Sequence, residues 1–168
     1  MLIRMLSNIH KWDGSTTINR KDPSICGDAI GDLRTSNNRL SVWKVENQED
    51  INDAIVALAL NRDDVSKINY LILKEEDLIK MEIEIVDDQP GKAAGLDANI
   101  LQKHRDLIEI DYTGLGLLAE YMTRLAKVKE NQNVISKQNV KNLLIKYKDE
   151  QKIHPELMAG KLKNNLNW

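Results

Sequence analysis

The chain has 168 residues, 42% of them hydrophobic and 30% charged, with a net charge of −2 at pH 7. These are globular values that argue against a disordered chain and suit one ordinary domain able to bury its own core. The longest strictly apolar run, Ala54 to Leu60, is far short of the roughly 20 residues that cross a bilayer, and one cysteine excludes an internal disulfide.

The amino-terminal "MLIRMLSNIHKW" has a charge at Arg4 and no small-residue cleavage site, so no signal peptide is expected and the expected location is cytoplasmic. With no Phe and aromatics at 4%, the interior must be filled by Ile, Leu and Val. Heavy use of Ile, Asn and Lys points to an AT-rich, bacterial genome. Charge is uneven along the chain. Residues 1–126 carry 15 Lys+Arg against 22 Asp+Glu, and residues 127–168 carry 9 against 4. An acidic body with a basic tail suits an acidic partner or nucleic acid, and equally a set of solubilising lysines.

Residues 1–31 read as a loop-rich lead-in, punctuated by Gly14, Pro23, Gly27, Gly31, "GSTT" and "DPS". "DLRT" and "RLSVWKV" are extended arms of a hairpin turned at Ser36-Asn37-Asn38, because Asn tolerates the positive φ of tight turns. Asn47 and Asp50 form a variant capping box. Ile51, Ala54, Ile55, Leu58 and Ala59 then share one face of a helix over about 48–61. "INYLIL", 68–73, is apolar at both parities and reads as a strand covered on both sides.

Strand 40–45, helix 48–61 and strand 68–73 make one βαβ unit with a right-handed crossover. "EEDLIKM" supplies a short helix, "MEIEIV" a half-exposed or edge strand over 81–86, and "DDQPGKAAG" a loop. "LDANILQKHRDLIEI" reads either as a helix or as a helix followed by a strand at Leu107–Ile110. Asp111 caps a helix to about Lys129, with Leu115, Leu118, Met122 and Leu125 inward. "NQNVI" breaks it. Ser136 opens the next helix, with Val140, Leu143, Leu144 and Tyr147 inward and Lys137, Lys141 and Lys148 outward. His154-Pro155 starts a last helix. The expected fold is α/β or α+β, a small mixed sheet of 3–5 strands containing one βαβ unit. Residues 1–129 form the α/β domain and 130–168 a helical extension, either packed on it or used for docking.

Chemical motifs fail in their context. "GLGLLA", Gly114 to Ala119, matches a dinucleotide fingerprint, but no second strand and no ribose-binding acid follow, so small residues for close helix packing explain it better. His10, His104 and His154 lack metal-ligand spacing, and no metal or other cofactor is expected. Cys26 has Asp28 nearby, which opposes thiolate formation. The carboxylate pairs, such as Asp63-Asp64 and Asp87-Asp88, suit solvated loops and helix starts.

The function expected from these residues is a non-enzymatic interaction module, an accessory, immunity-type or regulatory subunit with a protein partner and no membrane. Candidate docking faces are Leu143, Leu144 and Tyr147, or Leu157, Met158 and Leu162, with intramolecular packing as the competing explanation. The alternative is an enzyme whose site is assembled from Cys26, Asp28, Asp32, Arg34 and a histidine. A third is nucleic-acid binding through the basic carboxy-terminal helices, where Tyr147 and Trp168 give little for bases to stack on.

Overall fold

Local signals hold where a cap is encoded beside its helix. The computed structural model describes residues 1–15, 26–158 and 161–168, so the loop expected across Pro23 and "DPS" lies outside the described residues. Asn47 accepts from the backbone N–H of Glu49 and Asp50, Asp50 reaches back to the Asn47 N–H, and the capping box opens α1 (Gln48–Leu60). Asp111 caps α4 (Tyr112–Lys127) and Ser136 caps α5 (Lys137–Asp149). Shorter helices are α2 (Glu75–Lys80), α3 (Ala98–Leu101) and α6 (Lys161–Leu166). His154-Pro155 opens a single 3-10 turn, Pro155–Leu157.

Six strands pair into one sheet: β1 (Leu2–Leu6), β2 (Leu40–Lys44), β3 (Ile68–Leu73), β4 (Glu84–Val86), β5 (His104–Ile108) and β6 (Asn133–Ile135). Their order is β4-β5-β2-β1-β3-β6. The fold is mixed α+β, and two expectations are corrected. There are six strands, not 3–5, and the βαβ unit is split, because β1 lies between β2 and β3 and pairs antiparallel with β3 from Leu2↔Leu73 to Leu6↔Asn69. Arg4 is the reason β1 escapes notice: a charge in the middle of "LIRML" interrupts what is otherwise the apolar run of a central strand. The second missed strand, β6, has three residues and is too short to show alternation.

Only the "LI" of "LIEI" lies in β5, so 96–110 is a helix followed by a strand, with the strand at His104–Ile108 in place of the expected Leu107–Ile110. β4 pairs antiparallel with β5 and lies at the sheet edge. It is shorter than expected because Glu82 takes a left-handed φ of 59° where α2 ends. Asn37 and Asn38 have φ of 53° and 57°, and Ser36 and Arg39 exchange backbone hydrogen bonds of 3.0 and 3.1 Å. The asparagine turn is therefore present, but its first arm is not a strand. Gly27–Leu33 winds into 3-10 helix, burying Ala29 and Leu33, and only Ser36 bridges across the turn.

The chain forms two compact units, each built from three segments. The first is Met1–Val42, Asn69–Val86 and Asp106–Asn133; the second is Trp43–Ile68, Asp87–Arg105 and Val134–Trp168. In the first, Leu2, Leu6, Trp12, Leu40, Val42, Leu71, Leu73, Leu107, Leu118 and Met122 share one hydrophobic core. In the same unit the Tyr121 hydroxyl accepts from the Lys74 N–H and donates to Asp77, both at 3.0 Å. It thus satisfies the N–H of Lys74, the residue that precedes α2 and makes no side-chain capping bond of its own. In the second unit Ala54, Ile55, Ile68, Val140, Leu144 and Tyr147 are buried. Gly91 lies against the Trp43 ring so closely that a Cβ would come within 2.5 Å of it. No helix among the described residues is long and apolar enough to cross a membrane.

Candidate functional site

Of the residues offered for a dispersed catalytic site, Asp32 sits in a hydrogen-bonded cluster of the first unit. Its carboxylate accepts from the Ser7 backbone N–H (2.9 Å), the Ser7 hydroxyl (3.2 Å) and Trp12 Nε1 (2.9 Å). Its carbonyl accepts from Arg4 Nη2, while Arg4 Nη1 donates to the Ser41 carbonyl at 2.7 Å. Burial pushes the Arg4 pKa down to about 10, with the Asp32 charge opposing the shift. Arg4 Nε is buried without a hydrogen-bond partner among the described residues. The site is therefore a structural tie joining β1, β2 and the 3-10 segment.

Cys26 is half-buried and precedes that segment; Asp28 and Arg34 are exposed at its two ends. A buried carboxylate in the same unit, Asp106 on β5, accepts from Ser41 Oγ at 3.3 Å and from Arg39 Nη1 at 3.4 Å. The three histidines pair separately: His10 with Asp13, His104 with the Gln89 carbonyl, and His154 with Glu156. No group of three or more metal-ligating side chains occurs among the described residues.

The strongest polar cluster belongs to the second unit, and the sequence offers no local sign of the pairing that forms it. Asp53 is buried on α1 and accepts from the Tyr147 hydroxyl of α5 (2.6 Å) and from Lys103 Nζ (2.6 Å). Lys103 also bonds Asp50 Oδ1, while Asp50 Oδ2 accepts from the Glu46 and Asn47 N–H groups and completes the α1 capping box. Lys152 lies over the Tyr147 ring and pairs with Glu49 at 3.1 Å. Burial and then the Asp53 hydrogen bond push the Tyr147 hydroxyl strongly up. For Lys103 burial acts downward, but Asp50 and Asp53 outweigh it and the net shift is up.

Both groups hold their protons more tightly folded than unfolded, so their contribution is complete below pH 10 and is lost as pH rises through their folded values. The urea midpoint is expected to fall steeply above about pH 10, and Tyr147→Phe to flatten that fall. A midpoint equally steep in Tyr147→Phe would contradict this role. Tyr70 and Tyr121 are shifted up by burial as well, so the flattening is partial.

The proposed docking residues divide by burial. Leu144, Tyr147, Met158 and Leu162 are buried, Leu143 is half-buried, and Leu157 is exposed. In this fold the buried four are packing residues of the second unit and present no side chain to a partner. The glycine motif also has a structural explanation. Asp111 Oδ1 accepts from the Gly114 N–H at 2.7 Å, so a carboxylate already occupies the helix end where a pyrophosphate would sit.

What α4 exposes is more informative. Tyr112, at its first position, is 92% exposed; Leu117 is partly exposed. Gly116, one turn after Tyr112, has no described residue from another part of the chain within 4 Å of where a Cβ would project. Glu120, Arg124 and Lys127 continue this outer face as an exposed charged rim. Sequence reasoning passed over Tyr112; its signal was an aromatic residue outside the Leu115, Leu118, Met122, Leu125 stripe. Comparison with family models, with curated proteins and with solved structures gave no match, so the reading rests on this geometry.

Proposed function

We infer that this chain is a protein-interaction module, an accessory, immunity-type or regulatory subunit that docks a segment of another protein on the outer face of α4. One observation carries the reading: a solvated tyrosine stands beside a helix-interior glycine that the chain itself does not need. Glycine inside a helix costs about 1 kcal/mol relative to alanine, and here no neighbour among the described residues demands its small size. The notch suits close approach by a partner backbone, and tyrosine is enriched among the residues that dominate interface energies.

The polar clusters support the same reading, because Asp32, Asp53 and Asp106 are each hydrogen-bonded within the chain. An enzyme built around Cys26, Asp28, Asp32 and Arg34 has less support, since the Asp32 carboxylate already accepts three hydrogen bonds. Nucleic-acid binding through α5 must contend with Asp149 and Glu150 beside its lysines.

Gly116→Ala is expected to raise stability by about 0.5–1 kcal/mol in urea unfolding. Gly116→Leu is expected to fold normally and lose the partner that wild type co-purifies from its own cells. A Gly116→Leu chain that retains that partner with unchanged affinity would remove the α4 face from consideration.

A further inference from the structure

We propose that the chain pairs with a second copy of itself through α5, the two helices antiparallel about a two-fold axis level with Leu143. The observation is a single exposed ridge at four-residue spacing: Lys137, Lys141, Ile145 and Asp149. Residues four apart are neighbours on a helix surface, so the ridge runs basic, basic, apolar, acidic over about 18 Å.

Three of its members are charges held by solvent alone among the described residues. Lys137, Lys141 and Asp149 make no ion pair with any described residue, whereas Lys146 pairs with Glu150 at 3.6 Å and Lys148 lies over the Trp168 ring at 5.3 Å. Lys137 at the first position and Asp149 at the last also oppose the helix dipole, and the first turn holds no acid to offset Lys137. A helix that carries charges against its own dipole has local preferences in conflict, which calls for a compensating contact.

A second α5 provides that contact. In a two-fold pair each residue i meets j while j meets i. With the axis level with Leu143, Lys137 faces Asp149 of the second copy and Asp149 faces its Lys137. Lys141 faces Ile145 of the second copy, where a shallow depression is lined by Asn142, Ile145, Lys146, Asp149 and Glu150. Glu150 is already held by Lys146 and Lys152, which leaves the Ile145 wall with the Asp149 carboxylate at its rim to take the stem and head of a lysine. The same acids disfavour a phosphate backbone along this ridge, so charge complementarity selects a second copy over a nucleic acid.

Sedimentation equilibrium of the full chain tests the proposal through charge exchange. Wild type is expected to dimerise at micromolar concentration and to weaken with added salt. Lys137→Glu and Asp149→Lys each put like charges at both symmetry-related contacts, and each is expected to weaken self-association by about tenfold or more. Both substitutions favour the helix dipole, so circular dichroism should show native helix content in each. An equimolar mixture of the two variants restores both opposite-charge contacts and is expected to recover association to within about threefold of wild type. Wild type that stays monomeric up to hundreds of micromolar, single variants that dimerise as wild type does, or a mixture that fails to recover would each overturn the proposal. Binding of an oligonucleotide by a monomeric wild type would overturn it in favour of the third function.

Discussion

Asp53→Ala is expected to destabilise the protein by about 3 kcal/mol or slightly more, the lower end of what breaking a buried ion pair costs. The carboxylate is buried on α1 and takes hydrogen bonds of 2.6 Å from both Tyr147 and Lys103. Without it the Tyr147 hydroxyl is left in the interior with no acceptor, a loss of about 1–3 kcal/mol. Lys103 fares better, since it keeps Asp50 and is a third exposed, so water recovers part of its charge. Two milder substitutions set the scale. Tyr147→Phe leaves Asp53 paired with Lys103, and Asp53→Asn keeps an acceptor for the hydroxyl, so each should cost about 1–2 kcal/mol. Urea unfolding of the three variants checks the order. An Asp53→Ala chain within 1 kcal/mol of wild type would mean that the cluster is decorative.

Trp12→Ala is expected to cost about 3–5 kcal/mol, the range for removing a buried aromatic side chain. Trp12 is fully buried in the first unit, and its indole N–H donates to Asp32 Oδ2 at 2.9 Å. The same contact predicts how Asp32 behaves. Asp32→Ala strands the indole N–H and the Ser7 backbone N–H together, so stability should fall by about 1–3 kcal/mol. Asp32 is therefore expected to act on stability first. A stable Asp32→Ala protein with an altered cellular function would instead favour the enzyme reading.

How much was legible follows from the range of each interaction. The caps Asn47, Asp111 and Ser136 bond backbone groups within three residues, so α1, α4 and α5 could be placed from local pattern alone. "INYLIL" likewise became β3 over the expected 68–73. β1 depends on partners distant in sequence, and its Arg4 is tolerated only because carbonyls of Asp32 and Ser41 receive it. Asp53 and Tyr147 lie 94 positions apart, and nothing local announces their bond. The one hint was a tyrosine on the inward stripe of α5, whose hydroxyl had to find an acceptor. Apolar periodicity alone does not separate a docking face from a packing face. Leu144 and Tyr147 lie on a stripe that fits either, and in this fold they are buried. A binding face shows the opposite signature: a large side chain off the stripe, as at Tyr112, and a small one where propensity prefers alanine, as at Gly116.

Docking on α4 is tested most directly by site-specific photo-crosslinking in the cells that make the protein. A benzoylphenylalanine at position 112 should give one discrete cross-linked species carrying a second, different polypeptide. The same probe at exposed Glu130, and the position-112 probe combined with Gly116→Leu, should give none. Cross-linking at 112 that is no more specific than at 130, or that survives Gly116→Leu undiminished, would contradict the account.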